Sequence, residues 1–75
     1  MADIKFEIIE TLAILSEGNK GWTKQLNLIS WNGRDPKYDI REWSEDQTSM
    51  RKGITFNPSE LHALKEALNK LPELE

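Results

Sequence analysis

Cysteine is absent from this 75-residue sequence, which excludes disulfides and thiolate metal sites. Histidine occurs once, as His62, and one imidazole does not make a metal site. Glu66 stands four residues on, but two ligands fall short of a site, so no metal is expected. No apolar run approaches the roughly 18 residues of a membrane span, so no membrane partner is expected. The opening Met-Ala-Asp-Ile-Lys lacks a basic region followed by an apolar stretch, which predicts no signal peptide. Together with the missing cysteine, this points to a cytoplasmic protein. A Gly-rich phosphate loop is also missing. Ser16, Ser30, Ser44, Ser49 and Ser59 have no histidine base in a recognisable motif. The carboxylates are scattered rather than paired. These absences predict no enzyme, no catalytic residue and no cofactor.

A surplus of positive charge is lacking too, since the net charge is −3. Its distribution is uneven. Of the ten cations, Lys20, Lys24, Arg34, Lys37, Arg41, Arg51 and Lys52 lie between residues 20 and 52. All three tryptophans, Trp22, Trp31 and Trp43, lie in the same segment. An acidic whole can therefore carry a locally basic face, and the local field governs binding.

The length fits one domain spanning residues 1–75. A chain this short buries only about 60% of the surface its unfolded form exposes. Disulfide and metal are excluded, so self-association is the remaining aid, a first hint of a dimer, although many domains of this size fold alone.

Ile4 to Leu15 is rich in Ile, Leu, Phe and Thr without Gly or Pro, and reads as a strand. Glu17 to Gly21 is turn chemistry. Trp22 to Trp31 is a second strand, and Asn32-Gly33 signals the next turn. Lys37 to Trp43 alternates, which places Lys37, Asp39, Arg41 and Trp43 on one face. Ser44 to Ser49 reads as a loop and Arg51 to Phe56 as a short fourth strand. The final element is a helix. Asn57 caps it, Pro58 suits its first position, and Glu60 completes a capping box. Leu61, Leu64, Leu68 and Leu71 form its apolar stripe, Glu66 and Lys70 an outer pair, and Pro72 ends it. The fold class is α+β: a four-stranded antiparallel meander followed by one C-terminal amphipathic helix.

One helix covers only part of one sheet face, so core positions for all three tryptophans are not expected. Cations interleaved with aromatic rings suit single-stranded nucleic acid, because cations track phosphates and indoles stack on bases. Trp22 and Lys24 share strand parity, and Trp31 ends the second strand.

Tyr38-Asp39-Ile40-Arg41-Glu42-Trp43, then Met50-Arg51-Lys52-Gly53-Ile54-Thr55-Phe56-Asn57-Pro58, then the Leu-striped helix form one block. It resembles the C-terminal domain of the transcriptional coactivator positive cofactor four, and within that family the small bacterial YdbC-like branch. The resemblance implies a homodimer of curved sheets joined partly through the helices, at Leu61, Leu64, Leu68 and Leu71. It implies single-stranded DNA across the sheets, with Arg41, Arg51 and Lys52 at phosphate-contacting positions. Trp43 falls beside the binding face and Trp31 near a base-stacking aromatic. The expected nucleic-acid site is thus Trp22, Lys24, Trp31, Arg34, Lys37, Arg41, Trp43, Arg51 and Lys52. The expected function is non-catalytic single-stranded DNA binding with little sequence preference, in transcription or DNA maintenance. RNA binding, or a protein–protein adaptor using the same face, are the alternatives.

Overall fold

The computed structural model describes residues 5–72. Four strands follow in order: β1 (Phe6–Glu17), β2 (Thr23–Trp31), β3 (Lys37–Trp43) and β4 (Met50–Phe56), and then the helix α1 (Pro58–Asn69). All neighbours pair antiparallel in the order β1-β2-β3-β4. This is the expected meander plus helix. Ile4, the expected first strand residue, lies outside the described residues. The first turn carries a short 3-10 segment, Asn19–Gly21. Asn32 (φ 52°) and Gly33 (φ 74°) both take the left-handed backbone that their sequence favours. The Arg34 N–H closes that turn on the Trp31 carbonyl at 2.9 Å.

β1 departs from simple alternation for a definite reason. Its register against β2 shifts between Ile8 and Glu10, between Thr11 and Ala13, and between Ile14 and Ser16. Each shift inserts one extra residue on β1, so Ile9, Leu12 and Leu15 bulge at intervals of three. Bulges bend a strand and increase its twist. The sheet curls accordingly. Trp43 pairs with Thr23 at one end of β2, and Phe6 pairs with Trp31 at the other. Eight residues of flat strand would separate those registers by about 26 Å. Yet the Phe6 ring lies 5.2 Å from Trp43 and 6.0 Å from Trp31. The face bearing these rings is therefore concave.

Trp43 consequently belongs to the core. It is 0% exposed, as is Ile29. Trp22 and Trp31 stay half-buried, so the three tryptophans are not all core, as expected; curvature, rather than the helix, covers Trp43. The concave floor is otherwise polar, with Gln25, Asn27 and Asp39 buried.

The opposite face carries Leu26, Tyr38 and Ile40 and receives the helix. Asn57 accepts the Glu60 N–H at 2.8 Å, and Glu60 Oε1 accepts the Asn57 N–H at 2.9 Å, which completes the capping box. Pro58 occupies the first turn, where a missing N–H costs nothing. Lys70 closes the other end, its N–H reaching the Ala67 and Leu68 carbonyls, two residues before Pro72. Glu66 and Lys70 do not form the expected pair; the ion pairs among the described residues lie elsewhere. No helical residue is fully buried. A groove of 570 Å³ runs between helix and sheet, floored by Leu15, Leu26 and Ile40 and walled by Leu61, Leu64 and Leu68.

Candidate nucleic-acid interface

Strand parity divides the expected site residues between two faces. Lys37, Asp39, Arg41 and Trp43 share the concave face, opposite Ile29, Asn27, Gln25 and Thr23. Trp31 joins them through its contacts with Phe6 and Arg41. Lys24 pairs with Glu42 on the reverse side. Arg51 donates to Glu42 Oε1 at 3.0 Å and lies 4.2 Å over the Trp22 ring. Trp22, Lys24 and Arg51 therefore gather at a rim on the Glu42 side, apart from Trp43. The expectation of one continuous face is corrected to a concave group and a rim group. Arg34, Lys37 and Lys52 are exposed and enter no ion pair among the described residues.

Arg41 is the most constrained cation. Its Nε donates to Asp39 Oδ1 at 2.6 Å and its Nη2 to Asp39 Oδ2 at 2.7 Å. Asp39 is fully buried and also accepts the Thr55 hydroxyl at 2.9 Å. A forked pair of this kind fixes the guanidinium plane. The plane's centre lies 4.8 Å from the Trp31 ring centroid. Gly53 makes the arrangement possible. It stands opposite Arg41 on β4, and a Cβ there would collide with the Arg41 Cβ and the Ile40 carbonyl oxygen.

A second polar network seals the Trp43 end. Gln47 holds a left-handed backbone at φ 60°, a conformation costing a non-glycine residue roughly 1–2 kcal/mol. Its side chain offsets that strain by donating to Gln25 Oε1 at 2.9 Å and to Thr11 Oγ1 at 3.3 Å. Asn27 also donates to Gln25 Oε1, and Gln25 to the Thr23 hydroxyl. Three buried polar atoms of the concave side, Asn27 Oδ1, Trp31 Nε1 and Trp43 Nε1, have no hydrogen-bond partner among the described residues. The loop that presents Gln47 is tied by Asp46, which accepts from the Ser44 and Thr48 hydroxyls at 2.8 and 2.7 Å.

The stacking role expected of Trp43 needs correction, because a ring with no exposed surface presents no face to a base. Trp22 and Trp31 remain half-buried. Sequence reasoning had Asp39 on the right face but missed its function. An acid two residues before a base on one strand face was the available signal. Gln47 gave no comparable signal, since its reach depends on a left-handed turn in a polar loop.

The molecule is thus a curved antiparallel meander followed by a helix, with Lys37, Arg41 and Trp31 on its concave face. The chain belongs to the transcriptional coactivator p15 (PC4) family, whose model matches residues 18–67. That family is known for single-stranded DNA binding and coactivation. Over 69 residues the chain is 44% identical to an uncharacterised protein of Treponema pallidum (strain Nichols), covering 92% of this chain and 81% of that protein.

Proposed function

We propose that this protein binds single-stranded DNA on its concave face, with little sequence preference and without chemistry, as a homodimer joined through the helix side. One observation carries the reading: Arg41 stacked on Trp31, on the sheet face that also carries Lys37, in a chain of this family. Phosphate contacts fall to Arg34, Lys37 and Lys52. The rim group of Trp22, Lys24 and Arg51 takes the strand where it leaves the sheet. Trp43 and Phe6 brace the floor. Dimerisation is supported by the open apolar groove and by Leu68 and Leu71, exposed at 53% and 51%. The bacterial relative supports placing the chain in the small bacterial branch, and a DNA ligand suits a cytoplasmic location.

Titration of tryptophan fluorescence tests the reading, using a mixed-sequence single strand of about 20 nucleotides, the matched duplex and the RNA equivalent. Saturable quenching by the single strand, weaker for duplex, is expected. Log affinity should fall with log salt by about 0.7 per phosphate contacted. Stronger binding to RNA would reassign the ligand. No quenching at low salt would overturn nucleic-acid binding and favour a polypeptide partner.

A further inference from the structure

The Trp31 ring is hemmed in. Phe6 lies against it at 6.0 Å, tilted by 49°, and the Arg41 guanidinium sits 4.8 Å away over the ring. The guanidinium thus occupies one face of the indole, and a base arriving on that side stacks on the guanidinium instead. We propose that Arg41 is a stacking plate for a nucleobase, positioned by Asp39, and not a phosphate clamp. The proposal rests on the single-stranded DNA reading above.

Three features carry it. The first is that every guanidinium nitrogen is engaged. Nε and Nη2 are forked on Asp39, while Nη1 lies 3.3 Å from Met50 Sδ and 3.5 Å from the Arg51 carbonyl. Turning this group toward a phosphate would strip a buried carboxylate of its counter-charge and leave it the Thr55 hydroxyl alone. Uncompensated buried charge costs more than a solvent-screened phosphate contact returns.

The second feature is orientation. The two bonds to Asp39 set the plane, and Gly53 lets the side-chain stem lie against β4. A planar guanidinium held in this way stacks on bases as an aromatic ring does. The third is charge. Asp39 already neutralises Arg41, whereas Arg34, Lys37 and Lys52 are exposed, enter no ion pair among the described residues, and are the better phosphate ligands. Arg41 keeps 15% of its side-chain surface exposed, which is the part a base would cover.

Arg41→Lys separates the two roles, because lysine keeps a positive charge beside Asp39 but has no plane. The probes are a 20-nucleotide single strand and an abasic strand of equal length. Expected is a loss of about 10-fold or more on the base-bearing strand. Binding to the abasic strand and the salt slope should be unchanged. Equal loss on both strands, or full affinity retained on both, would overturn the plate. If Arg41→Lys does not fold, the wild-type protein decides through its Arg41 Nε–H resonance in NMR. That proton should stay bonded to Asp39 at saturation and shift only with bases present. The same shift on the abasic strand would overturn the plate. Wild-type protein that binds neither strand at low salt would instead overturn the DNA reading itself.

Discussion

The two faces of this one sheet solve opposite problems. The concave face buries polar groups and satisfies most of them internally: Asp39 with Arg41 and Thr55, Gln25 with Asn27, Thr23 and Gln47. The helix face does the reverse. It gathers Leu15, Leu26, Ile40, Leu61, Leu64 and Leu68 around an open groove and buries no helical residue fully. A small chain can order one face by hydrogen bonds at little net gain, since each contributes only about 1 kcal/mol. Its larger stabilisation must come from apolar area, and here that area is left open. The contrast supports the proposed division, in which the concave face takes a polar, charged ligand and the helix face a second copy of the chain.

The sharpest way to break this contrast is on the helix side. Leu68 and Leu71 are both more than half exposed, so the fold of one chain does not depend on them. Changing both to Asp should leave the sheet intact but weaken dimerisation by at least ~3 kcal/mol, a factor of roughly 100 or more. Light scattering after gel filtration should show a wild-type dimer and a monomeric variant. A wild-type monomer at tens of micromolar would remove the assignment.

Gly53→Ala strikes the concave side alone. The added Cβ has no room between Arg41 and the Ile40 carbonyl. Overpacking of this kind costs about 1–3 kcal/mol, and here it would also lift Arg41 from Trp31. Urea denaturation should show the loss, with the dimer interface unchanged. A cost below about 0.5 kcal/mol would mean that β4 yields freely and that Arg41 is not held as described.

Sequence legibility followed the same division. The strands β2, β3 and β4 and the helix were readable because local signals agreed: Asn32-Gly33 for the turn, parity for Lys37 to Trp43, and Asn57-Pro58 with Glu60 for the cap. The family block from Tyr38 to Pro58 was readable as well, and the matched range includes it. What could not be read was curvature. The bulges at Ile9, Leu12 and Leu15 impose a three-residue spacing that resembles neither helix nor strand. They bring Phe6 onto Trp43 and make that tryptophan core. Parity relates Trp22 to Lys24 but does not say which face they share; the register sets Lys24 against Glu42, on the side away from Trp43.

The smallest effect tests how the concave side is fastened. The Asp46 carboxylate lies below its ordinary value of 3.8, chiefly through the Thr48 hydroxyl, then through the Ser44 hydroxyl and the Thr48 N–H. Because the folded value is depressed, the unfolded chain binds more protons in the window between the two, and stability there rises with pH. The contribution is complete above the ordinary carboxylate value and is lost as pH falls through the folded value. Asp46→Asn should therefore be slightly less stable than wild type at neutral pH, and the gap should narrow below pH 3.8. Asp46 is on the surface, so the gap is small and shrinks with salt. The loop it ties carries Gln47 to Gln25 and Thr11 on the concave side and does not line the helix groove. The dimer dissociation constant of Asp46→Asn should accordingly match wild type at every pH. A parallel change in dimerisation would show that the two faces are coupled through the sheet.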